Sequence, residues 1–537
     1  MSPRRHKVFS ERSVQKRGTM FRENSGHLQE NLFGTTSQLS KQQQKRLGRS
    51  KEFYLYEHFF SEIDEKIFEP LYFDNNGRPN AAINALVTAA MLHSHNGWSV
   101  EFLIDQINFN LLTRTALGMK TIDGTPFCEA TFYNFQNRLR RHEELAGENL
   151  LEVQFKKLTA KQIKNLELKT GIQRTDSFQV MTNIKSRSRV ELLVEVLIRL
   201  YRVLDLSVQE RFCELIAPYL EENSQQFVYS LDKEDIPHTL EQLGTVYHAL
   251  HEALNHELSG LEEFKTFARV YTEQFEFADQ KIAVRTAESV GSGSLQSPDD
   301  LDATYRKKRQ ESHKGLVAVV TETASLENPI QLITDVCVEK NNVDDAVILE
   351  KRIENLKEMT GDLNELHVDG GFGSEGVDSK VAEHGIDIIQ TAVKGREPAV
   401  DFEISFNSET GKIEVSCPNQ TVEATEARRR MKAEFSENVC RSCPFADRCP
   451  AQKGKKYRTY RFDKEKLPAE KRKRNIRKIP PERRTLRANV EATVKEFSRG
   501  FNSSGKIKTR GMFKAMVYVI ASAFAVNIGR MYRFQAA

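Results

Sequence analysis

Five runs of β-forming residues constrain this chain most, because a long stretch of different periodicity splits the first from the rest. The runs are GIQRTDSFQVMT (171–182), LVAVVTETAS (316–325), IQLITDVCV (330–338), ELHVD (365–369) and IDIIQTAV (386–393). Between the first and second, VELLVEVLIRLYRVL, ERFCELIAPYL and VYHALHEALNHEL repeat their apolar residues at helical spacing. Another helical pattern, NNVDDAVILEKRIENLKEM, separates the third run from the fourth. The order strand, strand, strand, helix, strand, helix, strand predicts an α/β (mixed α+β) domain. A helical insertion without strands interrupts it after the first strand.

Three acids sit where such a domain could point them at one spot. Asp176 lies within the first run, and Asp369 ends the fourth, just before Gly370-Gly371. Glu491 lies on a helix-like stretch, RRTLRANVEATVKEFSR. Two strand-borne carboxylates and a helical one can hold two divalent cations, which stabilise the attacking and leaving oxygens of an in-line phosphoryl displacement. Oxygen-only ligands suit hard cations, so Mg2+ or Mn2+ is the expected metal. The bland reading is that any three acids can be chosen from 75, and that Asp176 is a turn or capping residue. The glycines after Asp369 favour the functional reading, because they let a phosphate backbone come close.

The company of these acids is specific. RTDSFQVMTNIKSR, ELHVDGGFGS and RRTLRANVEATVKEFSRGFNSSGKIKTRG resemble, in order, the three acidic segments of bacterial insertion-sequence transposases of the DDE type, in particular the insertion sequence 1182 type. FDNNGRPNAAINALVTAAMLHSHNGWSVEFLIDQINFNLLTRTALGM and CEATFYNFQNRLRR resemble that family's helical N-terminal domain. SPDDLDATYRKKRQESHKGLVAVVTETAS resembles the return to the catalytic domain after an insertion, and RGMFKAMVYVIASAFAVNIGRMYR the last helix. The resemblance spans Phe68 to Arg533. It implies a ribonuclease-H-like catalytic domain and strand cleavage followed by strand transfer. It also implies a homodimer that synapses double-stranded DNA, both the inverted-repeat ends and the target. On the third helix the family often shows tyrosine, arginine, glutamate and lysine. Here Arg487 matches the arginine, Arg484 replaces the tyrosine, and Ser498 stands at the lysine, with Lys495 or Arg499 as substitutes. Arg484, Arg487, Lys495 and Arg499 are thereby expected to hold DNA beside Glu491.

Charge distribution agrees. Net charge is only +4, but residues 1–51 carry 12 Lys or Arg against three Glu, and residues 451–487 carry 16 against four acids. Clustered cations release counterions from DNA and bind it without regard to sequence; a solvated tail or linker is the alternative. Within Glu129–Arg141, Tyr133, Asn137 and Arg140 are expected on an outward face that enters a major groove, with Phe132, Phe135 and Leu139 inward. The expected organisation is a basic disordered arm (1–51), a helical DNA-binding domain (52–145), a catalytic domain (165–187, 296–400 and 480–537), a helical insertion (188–295) and a cysteine-containing basic insertion (401–479). A mean hydropathy of −0.54 and no apolar run near the roughly 20 residues of a membrane span argue for no membrane partner. The start, MSPRRHKVFSERS, has no apolar core for a secretory signal, and seven cysteines in 537 residues do not suggest a disulfide scaffold; a cytoplasmic setting is expected.

Cys417, Cys440, Cys443 and Cys449 are spaced C-x22-C-x2-C-x5-C. A C-x2-C turn supplies two thiolates, and four complete a tetrahedral structural zinc; free thiols or disulfides are the alternatives. Cys128, Cys213 and Cys337 read as buried small hydrophobes, and His248, His251 and His256 as core-satisfied or solvated rather than ligands. Two rival functions remain: a DNA-binding derivative without catalysis, and a ribonuclease-H-type nuclease without strand transfer.

Overall fold

The computed structural model describes all residues except 1–20, 30–33, 73–78, 122–123, 279–280, 309, 391–399, 401, 408–410, 428–429, 464–478, 481–482, 484, 487–488 and 537. Contacts divide the chain into two compact units, Met1–His93 with Trp98–Leu158, and Ser94–Gly97 with Thr159–Ala537.

The first unit is helical. Its helices include Lys41–Leu47, Lys51–His58, Val100–Phe109 and Glu129–Ala146, packed around the fully buried Phe59, Phe60, Phe68 and Phe132. Ser99 caps Val100–Phe109 by accepting the Phe102 N–H at 3.2 Å. The expectation of a structureless arm over 1–51 is corrected for the described residues 21–29 and 34–51. The Asn24 N–H donates to the buried Glu65 carboxylate at 2.8 Å, and Ser40 and Gln43 form a capping box on Lys41–Leu47. Residues 1–20 lie outside the described residues. Cys128 is exposed, as is Cys213 in the second unit; each lies on the polar side of its surroundings, so only Cys337 is the buried apolar residue expected.

In the second unit, β1 (Ile172–Val180) is followed by a helical stretch that contains one hairpin, β2 (Phe275–Ala278) with β3 (Lys281–Val284). The expected all-helical insertion is corrected to that extent: the four-residue strands FEFA and KIAV are too short to announce themselves by period. Its helices Arg189–Val203, Ile236–Leu258 and Glu262–Gln274 enclose a core of their own, drawn from residues between Val190 and Leu295. His248 donates or accepts at Tyr271 Oη (2.8 Å) and stacks on Phe277, and His251 stacks on Phe264.

The main sheet continues with β4 (Thr304–Lys308), β5 (Glu311–Thr323), β6 (Ile333–Lys340), β7 (Glu365–Val368) and β8 (Asp387–Gln390). β6, β5, β1, β7 and β8 lie side by side. β5 runs antiparallel to both β6 and β1, while β1, β7 and β8 are parallel. β5 first pairs with β4 and then with β1. Gly315 marks the change, with φ +153° and no room for a side chain, since a Cβ would meet the Val180 carbonyl at 2.5 Å. Helices Asp345–Met359 and Glu375–Glu383 pack over Val317, Val319 and Val368. Helices Val490–Phe497 and Met512–Ala536 cover other parts of the sheet. By length and composition Met512–Ala536 is apolar enough to cross a membrane, contrary to the sequence estimate, but most of it is buried within the fold.

A second, antiparallel sheet, β9 (Glu403–Asn407), β10 (Lys412–Cys417), β11 (Gln420–Ala427), β12 (Arg430–Ser436), β13 (Gln452–Lys453) and β14 (Tyr457–Phe462), occupies the cysteine-containing region.

An ion cluster closes the two ends of the helical stretch. Asp299 accepts from Arg187 Nη1 at 3.0 Å and Arg199 Nη2 at 2.7 Å. Burial alone would push its carboxyl up, but the two guanidiniums outweigh it and bring the pKa down to about 2. A folded-state pKa below the unfolded one gives stability that is present above the unfolded value and lost as pH falls through the folded one. Hydrogen exchange in the 188–295 helices is therefore expected to accelerate between about pH 4 and 2, and Asp299→Asn should flatten that part of the profile.

Candidate active site

The β1–β7 register pairs Arg174 with His367. That is the last pair of the register; Asp176 lies two residues further along β1, and Asp369 in the turn that follows β7. Asp176 is buried, and its Oδ1 accepts the Ser177 N–H at 2.9 Å. Asp369 caps a turn, its Oδ1 accepting the Gly371 N–H at 2.6 Å. The glycine is needed for the carboxylate itself: a Cβ at 371 would lie 2.8 Å from Asp369 Oδ1. Glu491 is exposed on the first turn of Val490–Phe497. That helix packs on β1 through Phe497 against Phe178, ring centroids 5.3 Å apart.

Asp176, Asp369 and Glu491 all line one open cleft of about 830 Å³, with Ser177, Lys308, Gln310, Glu311, His313 and Val494. The donor set is oxygen-only and the cleft polar, which suits a hard divalent cation. Among the described residues no three His, Cys, Asp or Glu side chains are gathered tightly enough to hold a metal ion as they stand. Three carboxylates around one space repel each other, so a cation is what would draw them together. The chemistry of the site fits the metal.

Sequence reasoning missed Asp345. It is buried, accepts from Ser177 Oγ at 2.9 Å and pairs with Arg306 at 2.9 Å. Its position at the head of a helix gave no sign that Ser177 would face it. Glu365, on β7, is bound by His367 Nε2 at 2.5 Å and by Arg483. Burial pushes its carboxyl up, yet His367 and Arg483 outweigh this and hold it below the ordinary range.

The predicted long helix through Glu491 is shorter than expected. It begins at Val490, Thr485 and Leu486 being in a turn. Lys495 shares the exposed side with Glu491, and Arg499 lies in the following turn Ser498–Gly500; Arg484 and Arg487 lie outside the described residues. In the first unit Tyr133, Asn137 and Arg140 are exposed on Glu129–Ala146, while Phe132, Phe135 and Leu139 are buried on its other side. Arg140 is within 3.8 Å of Glu144, an exposed pair of little energetic weight.

Cys417, Cys440, Cys443 and Cys449, all free thiols, line one cavity of about 20 Å³ at the edge of the second sheet. Burial pushes the Cys440 thiol up, with Cys417 and Cys449 adding to the shift. Gln420 Nε2 donates to Cys440 Sγ at 3.2 Å. The space is about one atom's worth, and four sulfurs fit a zinc by chemistry. They too fall short of a gathered ligand set as they stand.

Residues 412–532 match a family model described as Transposase DDE domain. No curated protein and no solved structure matches. The matched segment runs from β10 through the Glu491 helix into the C-terminal helix, and it supports a DDE transposase, a nucleic-acid-cleaving enzyme whose substrate is DNA.

Proposed function

We propose that this chain is a bacterial insertion-sequence transposase that binds the ends of its element as a homodimer, cleaves there and joins the freed 3′ end to target DNA. The observation that carries the reading is the meeting of Asp176, Asp369 and Glu491 in one cleft, the last of them within the matched transposase segment. The order β6-β5-β1-β7-β8, with its single antiparallel-to-parallel change at β1, supports a ribonuclease-H-like catalytic domain.

Asp176, Asp369 and Glu491 would hold Mg2+ or Mn2+. Bound there, the ions would stabilise the charge that develops on the attacking and leaving oxygens. β1 carries the first carboxylate, the turn after β7 the second, and the Val490–Phe497 helix the third. Lys308 on the cleft wall, and Lys495 and Arg499 beyond Glu491, supply positive charge for the phosphate backbone. Arg484 and Arg487 belong to the same proposal.

The test is incubation of the full chain with Mg2+ and a duplex carrying the inverted repeat that flanks its gene. Nicks at the element's end together with joined products are expected. Binding without cleavage would point to an inactive derivative, and cleavage without joined products to a simple nuclease.

Tyr133, Asn137 and Arg140 are proposed to read the element's ends. Alanine at each should lower the preference for end-bearing over unrelated duplex by about 1–3 kcal/mol per lost base contact. Removing the basic residues 1–20 should instead weaken binding to all DNA and flatten its salt dependence. Equal effects of both changes on every duplex would remove the reading helix from the proposal.

The four cysteines are proposed to bind one structural zinc. Metal analysis of freshly reduced protein should find about one zinc per chain, and chelation should speed hydrogen exchange in β10–β12. Reduced protein without zinc would rule the site out.

A further inference from the structure

Glu322, on β5, is fully buried and sits opposite Arg174 in the β1–β5 register. Arg174 Nε donates to its Oε1 at 2.7 Å. Thr493 Oγ1 lies 2.8 Å from both of its oxygens, and Arg530 Nη1 donates to Oε2 at 2.6 Å. Arg530 Nη2 also donates to Thr493 Oγ1 at 2.5 Å, and its Nε to Glu496 Oε2 at 2.9 Å. Arg174 Nη1 reaches the Leu486 carbonyl at 2.9 Å. One buried carboxylate thus joins the strand that bears Asp176, the helix that bears Glu491 and the C-terminal helix.

The Glu491 helix has eight residues, too few to hold its own geometry in water. Its orientation comes from what it is tied to. Thr493 and Glu496 tie its inner side to this cluster while Glu491 faces the cleft. Charge-assisted hydrogen bonds in a low-dielectric interior resist displacement, because moving the helix would strand a buried charge.

We propose that Glu322 is the positioning residue for Glu491. Through Thr493 and Arg530 it sets where the third carboxylate stands relative to Asp176 and Asp369. The proposal rests on the reading of those three acids as the metal-holding set.

Thr493→Val removes the hydroxyl and keeps the shape, Glu322→Gln removes the charge, and Thr493→Ser restores the hydroxyl. Tyr247→Phe is the control for lost stability, since it removes a buried hydrogen bond to the Leu193 carbonyl (2.8 Å) in the helical insertion. The measurements on the full chain are Mn2+ affinity by electron paramagnetic resonance, metal-free binding to an end-bearing duplex, and the Mg2+ concentration for half-maximal cleavage. Thr493→Val and Glu322→Gln should weaken Mn2+ binding about tenfold or more, as loss of partners behind metal ligands does. They should raise the Mg2+ requirement in parallel and leave metal-free DNA binding unchanged. Thr493→Ser should behave as wild type, and Tyr247→Phe should lower the melting temperature without moving Mn2+ affinity. Wild-type Mn2+ affinity in Thr493→Val and Glu322→Gln, or an equal loss in Tyr247→Phe, overturns the positioning role. A Glu491→Gln chain that binds Mn2+ as wild type does would instead overturn the metal reading beneath it.

Discussion

Glu491→Gln, Asp176→Asn and Asp369→Asn are each expected to leave folding and end binding near wild type and to lower Mg2+-dependent strand cleavage by orders of magnitude. Each substitution keeps size and polarity. Asparagine at 176 or 369 still offers an oxygen to the Ser177 or Gly371 N–H that the aspartate accepts. What disappears is a charged metal ligand. Bound metals contribute several kcal/mol of transition-state charge stabilisation, at a factor of ten for each ~1.4 kcal/mol. Metal-free DNA binding should tighten slightly, because one carboxylate fewer faces the phosphates. A Glu491→Gln chain that nicks at the wild-type rate would mean that another acid completes the set. Glu496 is a poor replacement, since it is engaged by Arg530 and Arg533, and Glu482 lies outside the described residues. Glu311, which lines the same cleft, would be the first acid to try.

Asn527→Leu should lower stability by about 2–5 kcal/mol, the sum of two backbone groups left without partners. Asn527 is buried in the C-terminal helix. Its Oδ1 accepts the Ile333 N–H at 2.8 Å, and its Nδ2 donates to the Ile333 carbonyl at 2.9 Å. Among the described residues β6 pairs with β5 alone, so the asparagine acts as a one-residue extension of the sheet. Leucine fills the same space and satisfies neither group. Denaturant titration measures the loss, and hydrogen exchange locates it at the start of β6. If Asn527→Leu unfolds together with wild type, the two Ile333 groups have found other partners and the anchoring account is wrong.

The main sheet was legible because each of its long strands carries an apolar run. ELHVD and GIQRTDSFQVMT appear as β7 and β1, with Asp369 just past the end of one and Asp176 within the other. The second sheet was not. β11 alternates between exposed and half-buried positions, with no fully buried residue along QTVEATEA, so no hydrophobic rhythm distinguishes it from a loop. Asp176, Asp369 and Glu491 could be chosen by their segments. The partnership of Arg174 with Glu322 could not, because a cross-strand pair so distant in sequence is fixed by register alone. The single outward face drawn through Arg484, Arg487, Glu491 and Lys495 assumed a longer helix than the one that starts at Val490. The exposed placement of Tyr133, Asn137 and Arg140 followed from helical period, because Phe132, Phe135 and Leu139 on the other side are strongly apolar.

The clamp of Arg187 and Arg199 on Asp299 has a consequence for how such a chain can change over time. It brings the two junctions of the helical insertion together, and the segment between them fills its own interior. The cost of closing a chain between fixed points rises only slowly with its length. A lineage can therefore lengthen, trim or exchange this segment while the sheet and its acids keep their places. Diversity in size among relatives should concentrate between the two junctions, and a graft made at Arg187 and Asp299 is the natural way to swap one such segment for another.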